Sequence, residues 1–286
     1  MGQVRTRRQW IGFGGHDDLG DSHGCGAGPA GGPAAATAGA HWTRVDGRRF
    51  HARHAGPGVA GAPPVVCVHG VGVSSRYMVA TMAGLADRFD LYAIDLPGFG
   101  LTDKPPEVLC VAGQADALAS WIRAVGLERP ALLAHSFGCQ VAVDCAMRHP
   151  ELAGRLVLVG PTTDPDARTA PRQVLRWLRN LPGERPGQLP LVVADYGDAG
   201  VRRVLGTFGR SLADRIEDKL PLAQVPTLVV RGARDPIVPQ AWAEEATRLL
   251  PRGRLAVLPG PHTLNFAAPD ALAELVGPFL AGAGSA

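Results

Sequence analysis

Ala131-Leu-Leu-Ala-His-Ser136-Phe-Gly138 carries a continuous apolar stretch into a serine set between small residues, and Phe137 opens a helical pattern that continues to His149. A run apolar at every position suits a strand covered on both faces, here delivered straight into a helix. A residue on so sharp a strand-to-helix turn takes strained backbone angles, which small neighbours such as Ala134 and Gly138 tolerate. The hydroxyl is thereby lifted clear of the strand at the positive end of a helix, where negative charge is favoured. Taken alone, the stretch also fits an ordinary turn with Ser136 as N-cap.

The same texture recurs outward in both directions. Residues 65–68, 91–94, 156–159, 228–230 and 255–258 are short β-branched or leucine runs, separated or followed by helix-length segments at 76–88, 111–125, 137–149, 240–250 and 269–280. Two further strands, 41–46 and 49–54, flank Asp46-Gly47 as an antiparallel hairpin. The alternation predicts one α/β domain built on a doubly wound, mostly parallel sheet.

One interval breaks the rhythm. Between Val159 and Leu228 the chain is about twice as long as a single crossover needs. It contains helix-like segments at 172–181, 199–208 and 212–220, punctuated by Pro182, Pro186, Pro190 and Pro221. The expected organisation is therefore a core of residues 41–160 and 223–286, with 161–222 as a helical cap or lid. That lid would lie over the C-terminal edge of the sheet, where open α/β sheets bind ligands. Residues 1–40, rich in Gly, Ala and Pro, bury too little apolar surface to offset their ordering entropy and are expected to be disordered.

Composition excludes several classes. A net charge of +3, with 19% charged residues and no basic run interleaved with aromatics, gives no basis for a nucleic-acid partner. No stretch approaches the roughly eighteen apolar residues of a membrane span. The five cysteines form no C-x-x-C pair and no regular framework, and no leucine-rich leader follows Arg5, Arg7 and Arg8. A reduced, cytoplasmic protein is expected. There is no H-E-x-x-H, no phosphate loop and no G-x-G-x-x-G after a first strand, so neither metal nor nucleotide cofactor is expected.

Three further motifs carry chemistry. Pro64-Val-Val-Cys-Val-His69-Gly70-Val71-Gly72 is a strand ending in a glycine-rich loop that can approach a reacting oxygen closely. The amides of Val71 and Phe137 are the expected oxyanion donors, while His69 braces the loop beside Gly70 and Gly72. Asp95, before Pro97-Gly98, reads as a turn cap rather than an acid in catalysis. Asp235 and His262 each follow a predicted strand and so project from the same sheet edge as Ser136. A buried carboxylate would hold the imidazole in the tautomer that can take the serine proton. Asp164 and Asp166 are the rival acid positions.

Taken together, these motifs resemble the α/β-hydrolase superfamily over residues 41–286, with the order Ser…Asp…His of that architecture. The resemblance implies a sheet of about eight strands, a helical cap, no organic cofactor or metal, and a triad of Ser136, His262 and Asp235. Serine at the elbow departs from the aspartate of epoxide hydrolases and haloalkane dehalogenases. Cys139 and Thr263 depart from the glycine and tryptophan usual in carbon–carbon bond hydrolases. The leading expectation is hydrolysis of a small-molecule carboxylic ester or related acyl bond through an acyl-serine. Carbon–carbon hydrolysis, thioester hydrolysis and perhydrolysis follow on the same triad, and a non-catalytic binding relative is the reading from a different class. Monomer and homodimer both remain open. In the cap, Arg172, Arg176 and Arg179, with Arg168 nearby, read as a solvated face or as an attractor of an anionic substrate. Trp177, Leu178 and Leu181 are expected to pack the cap onto the core.

Overall fold

The structure, a computed structural model, describes residues 38–57 and 61–282, so the expectation for the first 37 residues falls outside it. Eight strands form one sheet: β1 Gly39–Val45, β2 Arg48–Ala55, β3 Pro64–Val68, β4 Asp90–Ile94, β5 Ala131–His135, β6 Arg155–Val159, β7 Thr227–Gly232 and β8 Gly253–Leu258. Their order is β1-β2-β4-β3-β5-β6-β7-β8. The pairs β1–β2 and β2–β4 are antiparallel and the remaining five are parallel. Asp46 and Gly47 both take positive φ, as the tight turn of the β1–β2 hairpin requires.

Among the described residues ten α-helices accompany the sheet. They are α1 Val79–Ala83, α2 Val111–Val125, α3 Phe137–Arg148, α4 Ala170–Asn180, α5 Leu189–Ala199, α6 Val201–Ala213, α7 Ile216–Lys219, α8 Gln240–Leu249, α9 Leu264–Ala267 and α10 Pro269–Leu280. Successive residues of the central strands enter opposite cores. Val66, Val68, Leu132, Ala134, Leu156 and Leu158 pack with Leu118, Trp121 and Val141 on one side. Val65, Cys67, Leu133, Val157 and Val159 pack with Met78, Met82 and Leu272 on the other. A strand buried on both faces must be apolar at every position, which explains the unbroken runs. Each large side chain so buried contributes about 1.5–3 kcal/mol.

The chain runs from β3 to β4 on one side and then to β5 on the other, so the order reverses between β3 and β5. Val68 pairs with Ala134 across that point. The loop after Val68 and the serine after His135 therefore open at the switch point of the sheet, where such folds gather their ligands.

Three segments differ from expectation, the first being 212–220, which is divided between the end of α6 and the separate α7. The segment 76–88 is a short 3-10 turn followed by the five-residue α1, which stops at Gly84 where Ala273 of α10 packs against its Cα. Helix α5 was hidden by Pro190, read in the sequence as a breaker. Pro190 sits in the first turn of α5, where its missing N–H has no intrahelical acceptor to lose.

Helices α4 to α7 fill the long interval between β6 and β7. Here a sequence expectation is reversed. Trp177, Leu178 and Leu181 do not pack inward; they are 45%, 50% and 44% exposed. The buried residues of α4 are Gln173 and Asn180. Their amides find partners beneath the helix: Gln173 Nε2 donates to Ala167 O at 2.9 Å, and Asn180 Oδ1 accepts from the His262 backbone at 3.1 Å. Hydrogen-bonding the polar face inward turns the apolar face out. The arginines are partly committed too. Arg168 pairs with Glu217 and Arg176 with Asp164, both at 2.5 Å, and Arg172 donates to Asp166 O at 2.7 Å.

Candidate active site

Ser136 closes β5 and precedes α3 with φ +53° and ψ −121°. This is left-handed backbone, costing a serine about 1–3 kcal/mol. Its N–H donates to Val159 O at 2.9 Å, and its carbonyl accepts from Cys139 N at 2.9 Å, so the elbow is tied to β6 and to α3. Gly138 is required by close approach: a β-carbon there would lie 2.5 Å from Val68 O and 2.7 Å from His69 O. The first turn of α3 rests directly on the end of β3. As N1 of α3, Phe137 carries an N–H without an intrahelical acceptor.

The loop after β3 lies beside the serine, since a β-carbon on Gly70 would be 3.4 Å from Ser136 Cβ. His69 is fully buried and fixed at both nitrogens. Nδ1 lies 2.8 Å from Gly70 O and Nε2 accepts from Leu96 N at 3.0 Å, so Nδ1 carries the proton. Burial lowers its pKa and keeps it neutral. It is a brace for the loop of Gly70, Val71 and Gly72.

Asp235 and His262 meet across the ends of β7 and β8. Asp235 Oδ2 lies 2.7 Å from His262 Nδ1, while Oδ1 accepts from the amides of Ile237 at 2.8 Å and Val238 at 3.0 Å. Arg231 fastens the Asp235 loop by donating to Val238 O at 2.7 Å and Asp235 O at 3.2 Å. Both members of the pair are buried, Asp235 at 2% and His262 at 6% exposure. Burial alone would depress the His262 pKa. The Asp235 charge and hydrogen bond, with Glu184 beyond, reverse this and raise it. The carboxylate fixes the proton on Nδ1 and leaves Nε2 as the basic nitrogen.

The rivals are engaged elsewhere. Asp164 binds Arg176, and Asp166 is exposed. Asp95 accepts from Leu101 N at 3.0 Å, capping its turn as expected, and also from Ser75 N at 2.6 Å and the buried His51 Nδ1 at 2.7 Å.

A family model described as "Alpha/beta hydrolase family" matches residues 65–275. The chain belongs to the alpha/beta hydrolase family. Among similar proteins, an uncharacterized protein of Mycobacterium tuberculosis is 28% identical, over 76% of this chain and 73% of that one. The 2-(acetamidomethylene)succinate hydrolase of Mesorhizobium japonicum is 26% identical, over 76% of this chain and 88% of its own. Among solved structures, the enol-lactonase from Burkholderia xenovorans superposes with a TM-score of 0.73 at 20% identity, covering 84% of this chain and 100% of that one. At this identity the superposition speaks to the alpha/beta hydrolase fold alone.

Three features of this alpha/beta hydrolase site lay beyond sequence reading. Gly160, directly after β6, has φ +58°, and a β-carbon there would be 2.9 Å from His262 Cε1 and 3.0 Å from Nδ1. The His135 ring lies 4.8 Å from the His262 ring, tilted by 52°, and bonds the His262 carbonyl through Nε2 at 3.2 Å. Burial, then the neighbouring His262, hold His135 well below the usual histidine pKa, so it adds no charge. Finally, the insertion reaches in: Asn180 binds His262 N, while Glu184 binds Asn180 and both the hydroxyl and the amide of Thr263. From α5, Asp195 binds Ser74 N at 2.9 Å and the Tyr196 ring closes on Gly72. None of these contacts is a local pattern; only Gly160, as a glycine ending a strand, left a trace.

Among the described residues no helix is long and apolar enough to cross a membrane.

Proposed function

We propose that the chain hydrolyses a carboxylic ester through an acyl-serine on Ser136, with His262 as general base and Asp235 orienting it. The observation that carries the reading is the 2.7 Å contact from His262 Nδ1 to Asp235 Oδ2, on the same sheet edge as the strained Ser136 elbow. Ser136 Oγ attacks the acyl carbon and gives its proton to His262 Nε2. The resulting oxyanion is held by the amides of Val71 and Phe137. Collapse breaks the acyl–oxygen bond, and His262 returns the proton to the leaving alcohol. Water, deprotonated by His262, then attacks the acyl-serine, releasing the acid and restoring Ser136. Residues 161–222 act as the cap over this site, and their contacts to His262, Thr263 and Ser74 support that role.

Fluorophosphonate labelling with a Ser136→Ala control, followed by a panel of esters of varied acyl length, tests the reading. Labelling of the wild type alone, with ester turnover, is the expected result. A folded protein that is not labelled, or is labelled equally in Ser136→Ala, overturns it. Turnover confined to thioesters or carbon–carbon substrates replaces the ester assignment and keeps the triad.

A further inference from the structure

Each of the three long helices of the insertion leaves apolar residues exposed. Val174, Trp177 and Leu178 on α4, Leu189 and Val193 on α5, and Leu205 on α6 are 45–62% exposed. Their i, i+3 and i, i+4 spacings put the named residues of α4 on one face and those of α5 on one face. The inward faces carry hydrogen-bonded polar residues, joined on α5 by Leu191, Val192 and Tyr196 and on α6 by Val204. Asn180 binds His262, Asp195 binds Ser74, and Ser211 binds Gln140. A helix of a soluble protein ordinarily buries its apolar stripe and hydrates its polar one. Helix α4 does the reverse, while α5 and α6 leave further apolar residues in solvent although Leu191, Val192, Tyr196 and Val204 pack inward. Exposed apolar residues in this number mark a contact surface.

The charge around it identifies the partner. Residues 170–213 hold seven arginines against three acids. All three acids are occupied: Glu184 with Asn180 and Thr263, Asp195 with Ser74 and Arg76, Asp198 with Lys104. Arg179 on α4, Arg185 between α4 and α5, and Arg202 on α6 are exposed. A second copy meeting this face to face would set arginine against arginine. An anionic surface with an apolar interior answers both features. Trp and Leu enter the boundary between headgroup and acyl chain, and arginine pairs with phosphate.

We propose that the outward face of α4, α5 and α6 docks on an anionic lipid bilayer, independently of the reaction assigned to Ser136. Co-sedimentation of the full chain with phosphatidylcholine vesicles, with and without phosphatidylglycerol, tests this. The expected result is at least about tenfold more protein on the phosphatidylglycerol vesicles, falling as salt screens the arginines. The pairs Leu178→Asp with Val193→Asp, and Arg179→Glu with Arg202→Glu, each lose at least about tenfold of that retention at wild-type melting temperature. If aspartate prevents folding, Leu178→Gln with Val193→Gln serves instead. Absence of retention, equal retention on both compositions, or retention indifferent to both pairs overturns the proposal. So does a concentration-dependent dimer that the Leu178 and Val193 changes dissolve, which would make a second copy the occupant.

Discussion

Asn180 Oδ1 accepts the backbone N–H of His262 at 3.1 Å, joining residues 82 positions apart. The last residue of α4 thereby fixes the loop that carries the imidazole. Glu184, four residues on, binds both Asn180 and Thr263, so one short segment of the insertion grips the His262 loop at two adjacent residues. The insertion is part of the support for the histidine.

Replacing Asn180 by leucine leaves the buried His262 amide without an acceptor, at a cost of about 1–3 kcal/mol. Loss of positioning is expected to lower kcat by about tenfold to a hundredfold with KM for short esters little changed. Thermal melting and steady-state kinetics together check this. A raised KM at unchanged kcat would mean that Asn180 serves substrate binding instead.

The raised His262 pKa sets opposite trends for activity and stability. Protonated His262 cannot accept the serine proton, so kcat/KM rises with pH along a limb centred above 6.5. Because the folded value exceeds the unfolded one, the stability it contributes is fully present below 6.5. That contribution is lost as pH rises through the folded value. Asp235→Asn is expected to move the limb to lower pH and to cut kcat about 10⁴-fold. Glu184→Gln, removing only the more distant charge, moves the limb in the same direction by less. A pH–rate profile of the three proteins decides, and a limb unmoved in both variants contradicts the assignment.

Ser136 stores backbone strain, so removing its side chain separates stability from chemistry. Ser136→Gly relaxes a positive φ and is expected to stabilise the fold by about 1 kcal/mol, after the entropic cost of glycine is subtracted. Ser136→Ala keeps the strain. Both lose several orders of magnitude of kcat. Denaturant melts of the two variants beside wild type test the difference; equal midpoints would mean that the elbow is unstrained.

Gly160→Ala places a methyl 2.9 Å from His262 Cε1 at a φ of +58°. The expected outcome is a loss of about 1–3 kcal/mol in stability and about a hundredfold in kcat as the Asp235–His262 pair is pushed aside. Chemical denaturation and kinetics of this single variant measure both.

The order of strands and turns along the chain, and which loops carry a serine, an acid and a histidine, are legible in the sequence. These are local facts: a strand covered on both faces is apolar throughout, a hairpin needs its Asp-Gly turn, and the elbow needs small neighbours. The resemblance built on those loops anticipated the eight-stranded sheet. It was silent on what depends on contacts between distant residues. Pro190 reads as a breaker until its place in the first turn of α5 is known. The stripe of Trp177, Leu178 and Leu181 reads as core because periodicity tells that a helix has an apolar face, and not which way it points. That orientation is a matter of tertiary packing, because the partner that draws Asn180 inward is His262, 82 positions away. Ser136, legible from the first as a serine on a sharp turn, became a candidate nucleophile on the sheet edge where Asp235 and His262 meet. Their 2.7 Å contact is made by β7 and β8 lying side by side, a distance no stretch of sequence contains.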